Sequence, residues 1–454
     1  MRNIIRVFMS AFLSTSWVRA AEVSKDATSV ETQTQRDARL QWFRDAKFGA
    51  LISFNPSSIT GGEIGWSRGG TKPLDITGDP AGVVEDPKYD NLYKQFNPEK
   101  FDAGALVALL QQAGMSYLVY NAKHHDGFAM FHTKFRPEYS IAAAPFKRDV
   151  VKELSEACHK AGLRFGIYYS QRDWTHPDYG MGDNRKYIDF MNGQLRELLT
   201  NYGKVDIIWF DSYGNGDLEK FWQIGETWSL LKSLQAAAVV NNRLAVLASY
   251  NQQPAPYRGD FDTPEQQVGK FQSGRAWESC MTLTEGWSHR SGGNPRSFQE
   301  LLTILIQCVT GDGNLMLGFG PDASGVLPVS EAERLKEIGT WLHKHGESVY
   351  GTRGGPYRNG KWGGSCQKGD KVYLHVAEWP AEGLFFDPLS NKVISARTLI
   401  GVPVSFRQSA DELAVEVAEK DREKPVTVIE LTLDQPVETG LLIGGVRAPK
   451  GTNK

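Results

Sequence analysis

Between Asp37 and Tyr350 short apolar runs alternate with amphipathic segments, and this alternation restricts the chain more than any other feature. The runs "FGALISF" (Phe48–Phe54), "YLVYNAK" (Tyr117–Lys123), "FGIYYS" (Phe165–Ser170), "VDIIWFD" (Val205–Asp211), "AVVNNR" (Ala238–Arg243) and "NLMLGFG" (Asn314–Gly320) read as buried strands. "AGALVALLQQAG" (Ala103–Gly114), "RDVVKELSEACHKAG" (Arg148–Gly162) and "KYIDFMNGQLRELLTNYG" (Lys186–Gly203) carry helical periodicity and each stops at a glycine. Further helices are predicted near Leu218–Gln235, Ser297–Thr310 and Ser330–His345. Strands separated by helices imply a parallel sheet with crossover connections. About seven such units favour a (β/α)8-like TIM barrel over an open doubly wound sheet. No G-x-G-x-x-G follows a strand, which argues against a dinucleotide fold. The number of strands between Arg243 and Glu278 stays open. After "GTRGGPYRNGKWGG" (Gly351–Gly364) the pattern changes to short strands with polar punctuation, which predicts a C-terminal β-sandwich. The expected organisation is a catalytic barrel over residues 37–350 and a sandwich over 351–454.

The bulk numbers exclude some functions. With 51 Lys and Arg against 53 Asp and Glu, net charge is -2, so nothing draws the chain to nucleic acid or an anionic membrane. Arg2 and Arg6, the apolar "VFMSAFLSTSWV" (Val7–Val18) and "VRA" (Val18–Ala20) predict a signal peptide over residues 1–20. The apolar run is shorter than the roughly 20 residues a span requires. The expected location is therefore secreted or periplasmic, with no membrane span after cleavage. No Asn-X-Ser/Thr sequon occurs, which favours a bacterial envelope source. The four cysteines (Cys158, Cys280, Cys308, Cys366) lack metal-ligand spacing and are expected to be buried thiols.

In a barrel of this kind functional groups gather at the C-terminal ends of strands. Here those ends supply His124, His125 and Asp126, then Tyr168, Tyr169 and Ser170, then Asp211, then Asn241, Asn242 and Arg243. Glu278 lies in "AWESCMTL" (Ala276–Leu283). Histidines and carboxylates for hydroxyl groups, with tryptophans to stack under a ring, suggest a polyol site. Glycoside hydrolysis requires two carboxyl groups in different environments. Asp211, flanked by Trp209 and Phe210, is the candidate nucleophile. Glu278, beside Trp277, is the candidate acid/base, since apolar neighbours raise a carboxyl pKa. Glu63, Asp260, Glu265 and Glu285 are rival acids. The structural alternatives are a cap at the end of its strand for Asp211, a salt bridge for Glu278 and a core role for either histidine. No cofactor or metal is expected, because the histidine pair lacks a third ligand at sensible spacing. A serine hydrolase is a poor fit without a G-x-S-x-G elbow.

The segments "FDAGALVALLQQAGMSYLVYNAKHHDGFAMF", "FKRDVVKELSEACHKAGLRFGIYYSQRDWTHPDY", "QLRELLTNYGKVDIIWFD", "WESCMT", "GDGNLMLGFGP" and "GESVYGTRGGPY" occur in this order. Together they resemble glycoside hydrolase family 29, the α-L-fucosidases, from roughly Leu40 to Tyr357. The resemblance implies a metal-free retaining mechanism on terminal α-L-fucosides of a glycan or glycoconjugate, with an oligomer possible. It matches Asp211 to the nucleophile and Glu278 to the acid/base. It matches His124, His125, Tyr168, Trp209 and Arg243 to sugar-pocket positions, and Trp66 to a tryptophan that closes over the sugar. The chain also departs from the pattern. Ser53 stands where a sugar-binding histidine is expected, Leu51 where an aromatic is expected, and Gly318 where asparagine is common. "SYG" (Ser212–Gly214) and "LTEGWSHR" (Leu283–Arg290) are unusual continuations. These departures open two further readings: a fucose-like sugar such as an α-L-galactoside, or a carbohydrate-binding protein without catalysis. Retention of both acids argues against the second.

Overall fold

The computed structural model describes residues 31–70, 84–211, 216–244 and 257–449. The proposed signal peptide and "SYG" lie outside these residues. Eight strands form one sheet in the order β5-β4-β3-β2-β1-β8-β7-β6. They are β1 (Phe48–Ile52), β2 (Tyr117–Lys123), β3 (Arg164–Tyr169), β4 (Ile207–Phe210), β5 (Val239–Val240), β6 (Phe261–Asp262), β7 (Ala276–Thr282) and β8 (Asn314–Phe319). A parallel bridge between Asn241 and Phe261 joins the two edges and closes the barrel. The strand expected over Ala238–Arg243 pairs only at Val239 and Val240, and the backbone then tightens into a 3-10 turn over Asn242–Leu244. The strand missing from the sequence reading is β6, whose two residues are too few to show a period.

The helices are α1 (Gln33–Ala46), the single turn α2 (Asp86–Tyr89), α3 (Ala103–Gln112), α4 (Val150–Ala161), α5 (Arg185–Thr200), α6 (Ile224–Leu234), α7 (Phe298–Thr310) and α8 (Val329–His345). Several starts are fixed by capping side chains: Asp102 accepts from Ala105 N–H, Asp149 from Lys152 N–H and Ser297 from Glu300 N–H. Helix α4 stops at Gly162, whose φ of 72° is the left-handed cap that favours glycine.

Successive strand residues point in opposite directions, so each strand serves two cores. Ala50, Ile52, Leu118, Tyr120, Ile167, Ile208 and Phe210 belong to the large core that includes residues of the surrounding helices. Leu51, Tyr117, Val119, Tyr168, Ile207, Trp209, Cys280 and Met316 fill the barrel interior. Leu40, Phe43 and Ala46 of α1 join that inner cluster and plug its N-terminal end, with the Phe43 ring 4.5 Å from that of Phe261.

The C-terminal region has a five-stranded sheet and a three-stranded sheet, both antiparallel. The first comprises β9 (Arg353–Gly354), β10 (Gly363–Lys368), β11 (Lys371–Val376), β13 (Val393–Thr398) and β16 (Thr427–Leu433); the second comprises β12 (Leu384–Phe386), β14 (Ser405–Gln408) and β15 (Leu413–Glu416). They enclose a core of their own that includes Val372, Leu374, Phe386, Leu413 and Leu431. The opposite face of the larger sheet supplies Cys366, Tyr373, Val426 and Val428 to the barrel core. The four cysteines are free and buried. No helix among the described residues is long and apolar enough to cross a membrane.

Candidate active site

At the C-terminal end of the barrel lies a cavity of about 190 Å³. Its wall carries Leu51 on β1 and Ser53 after it, His124 and His125 after β2, Tyr168 on β3, Trp209 on β4 and Asp211 directly after it, Arg243 after β5, Glu265 after β6, and Cys280 on β7. Ile64, Trp66, Asn121, Arg172 and Trp287 complete it. The sequence-predicted residues His124, His125, Tyr168, Trp209, Asp211, Arg243 and Trp66 are therefore brought together around one cavity.

Asp211 is the most heavily bonded of them. Its Oδ1 accepts from Arg243 Nη1 at 2.9 Å, and its Oδ2 accepts from the Tyr168 hydroxyl at 2.6 Å. His125 Nε2 is 3.3 Å from the same Oδ2. Its backbone N–H donates to Gln171 Oε1 at 3.0 Å. Burial opposes ionisation here, but His125, Arg243 and Tyr168 outweigh it and hold the carboxyl well below the ordinary range. Burial also pushes the His125 imidazole down to about 4, so the ring is neutral at neutral pH. A neutral ring that donates from Nε2 must accept at Nδ1, and Ser170 Oγ lies 2.6 Å away to supply that proton. Burial likewise lowers the His124 pKa well below its ordinary value. The anionic centre is thus a carboxylate among neutral donors and one guanidinium.

The aromatic floor follows from β3 and β4 pairing, which sets Tyr168 beside Trp209. Their rings stack with centroids 5.4 Å apart, and the Arg243 guanidinium lies 4.6 Å from the Trp209 ring centroid. Trp66 meets His125 edge to face at 5.0 Å. Trp287, which sequence reasoning missed, lies against the backbone of β8. A Cβ on Gly318 would fall 2.8 Å from its ring. Gly318 and Trp287 are therefore one feature: the missing side chain makes room for the indole.

Glu278, the candidate acid/base, is placed differently from Asp211. It is fully buried and does not line the cavity. It is only the third residue of β7 and pairs with Asn314, the first residue of β8, so it sits below the mouth where catalytic groups gather. Both its oxygens are occupied, by the Tyr117 hydroxyl at 2.5 Å and by Trp209 Nε1 at 3.1 Å. Burial raises its pKa to about 7, as expected beside apolar neighbours, but the group supports Trp209 from beneath. The carboxylate that does reach the cavity with Asp211 is Glu265, one of the rival acids. Its Oε2 lies 2.7 Å from Arg243 Nη2. One guanidinium thus spans both acids. Glu265 follows β6, whose two residues leave no alternation that would mark a strand end in the sequence.

His124, His125 and Asp211 present ligand atoms within 4.8 Å of one another, the one such group among the described residues. The Asp211 oxygens already accept from Arg243 and Tyr168, so a cation would compete with the guanidinium for the same carboxylate. Of the other rivals, Asp260 is paired with Arg39 at 2.8 Å, and Glu63 is bonded to backbone outside the cavity wall.

A (β/α)8 barrel with paired carboxyl groups, neutral histidines and an aromatic floor at its C-terminal mouth defines a glycoside hydrolase. The family model for α-L-fucosidase matches residues 16–347, and the chain belongs to that family. It is similar to an α-L-fucosidase isoenzyme from Paenibacillus thiaminolyticus, with 30% identity, a TM-score of 0.76 and coverage of 88% of this chain and 100% of that one. A Bacteroides thetaiotaomicron α-L-fucosidase, captured as a covalent intermediate with 2-fluoro-fucosyl fluoride, is 25% identical, with a TM-score of 0.76 over 87% of this chain and 96% of its own. The plasma α-L-fucosidase of Rattus norvegicus is 29% identical over 371 residues, 76% of this chain and 79% of that protein.

Proposed function

We propose that the chain hydrolyses terminal α-L-fucosides of glycans with retention, Asp211 attacking the anomeric carbon and Glu265 serving first as acid and then as base. The observation that carries this reading is the Arg243 bridge, with Nη1 on Asp211 and Nη2 on Glu265. Double displacement uses two carboxyl groups about 5–5.5 Å apart, and the shared guanidinium keeps Asp211 and Glu265 close together. Attack by Asp211 forms the glycosyl ester, while Glu265 gives its proton to the departing oxygen. Esterification removes the charge on Asp211. Glu265, having given up its proton, next takes one from the attacking water. Tyr168, His124, His125 and Trp66 hold the ring, and Trp209 lies beneath it. Secretion is part of the proposal, supported by the N-terminal pattern and by similarity to a plasma enzyme.

The test is turnover of 4-nitrophenyl α-L-fucoside with product anomer followed by NMR. First release of the α-anomer and rescue of Glu265→Ala by azide support the reading. First release of the β-anomer overturns retention, and near-normal activity in Glu265→Ala removes Glu265 from it. A second reading, preference for an α-L-galactoside, rests on Ser53. Its buried side chain is at the cavity wall, where its hydroxyl could meet the exocyclic 6-hydroxyl that galactose carries and fucose lacks. A panel of nitrophenyl glycosides decides between them.

A further inference from the structure

Two loops that line the cavity from above are fastened to each other by one carboxylate that never reaches it. Glu63 lies in the loop after β1, and Trp287 lies in the loop after β7. The Trp287 N–H donates to both Glu63 oxygens, at 3.1 and 3.0 Å, and the Ile64 N–H donates to Oε1 at 3.1 Å. Ser288 repeats the link: its Oγ accepts from Ile64 N–H at 3.2 Å and donates to the Gly62 carbonyl at 3.3 Å. The backbone leaves room for this junction and nothing larger. A Cβ on Gly286 would lie 2.6 Å from Glu63 Oε2, and one on Gly61, at φ 60°, would lie 2.0 Å from Ser291 Oγ. Below the junction, a Cβ on Gly65 would lie 2.4 Å from His124 Nδ1, so the loop rests directly on the histidine pair.

We propose that Glu63 is a positioning residue that seats Trp287, Ile64 and Trp66 on the sugar by bracketing the β1 and β7 loops. The proposal rests on the fucosidase reading for its substrate but not for its geometry. Glu63 accepts backbone donors and is absent from the cavity wall, so it is not placed to exchange a proton with substrate. Burial raises its pKa against the pull of the Trp287, Ile64 and Ser288 amides and of Arg290. Removing the carboxylate leaves the Trp287 N–H without its acceptor and frees both loops.

Loss of uniform binding raises KM and spares kcat. With 4-nitrophenyl α-L-fucoside, Glu63→Ala is expected to raise KM about tenfold while kcat changes by less than about threefold. Glu63→Gln, which keeps one acceptor oxygen, should recover part of the loss. Gly286→Ala should reproduce it with the carboxylate still present. Hydrogen exchange of peptides spanning 61–67 and 284–291 gives a readout independent of activity, and Glu63→Ala should accelerate both segments. A large kcat loss at unchanged KM in Glu63→Ala would overturn the proposal, and so would unchanged exchange. A wild-type chain inactive on fucosides sinks the functional reading alone, because the exchange result still decides the bracket.

Discussion

Asp211 is held as an anion by groups from three neighbouring positions on the barrel rim: His125, Tyr168 and Arg243. Asp211→Ala should lower kcat by roughly 10³-fold or more with an unchanged circular dichroism spectrum. Near-normal turnover would remove it from the mechanism. Glu278 makes a different prediction. Its pKa rises from 4.5 in the unfolded chain to about 7 in the folded one. Between those values the native state binds more protons than the unfolded state, so the contribution to stability is present below pH 4.5 and is lost as pH rises through 7. Relative to Glu278→Gln, the wild type should therefore lose up to about 3 kcal/mol across that window, read by urea unfolding at several pH values. Asp211 was legible in the sequence because it ends an apolar run. For Glu278 the apolar neighbours that raise its pKa were legible, whereas its depth along the strand cannot be read from a short motif.

At the scale of elements, β4 and β5 share few backbone bonds because β5 has only two residues. Asn241 replaces the missing ladder. Its Oδ1 accepts from Phe210 N–H at 2.9 Å and its Nδ2 donates to the Phe210 carbonyl at 2.8 Å. These bonds fix the residue just before Asp211. Asn241→Ala leaves two buried backbone groups unpaired, at about 1–3 kcal/mol each. Calorimetry should show a lower Tm, and kcat should fall with it because the nucleophile loses its lateral support. The long strands and capped helices were legible from period and cap residues. Strands β5 and β6 were not, since two residues hold no alternation and their pairing depends on partners far along the chain. The same holds for Trp287, whose place depends on Gly318 across the sheet.

For the whole molecule, the barrel and sandwich were separable in sequence, but their shared core was not. Tyr373 and Val428 sit within the barrel core, and Gly354 N–H donates to Asp312 Oδ1 at 3.1 Å. A chain ending at residue 350 should therefore aggregate or melt well below the full protein, which should itself unfold in one calorimetric transition. Two separate transitions would show that the sandwich is an independent unit. The buried cysteines carry a practical consequence. Burial pushes Cys158, Cys308 and Cys366 up to about 12 and also raises Cys280 well above its ordinary value, so all four resist alkylation at neutral pH. A fluorophore can thus be attached at one cysteine introduced by Glu285→Cys, at an exposed position of the loop after β7 that carries Trp287, with every native thiol left in place, to follow loop movement during turnover.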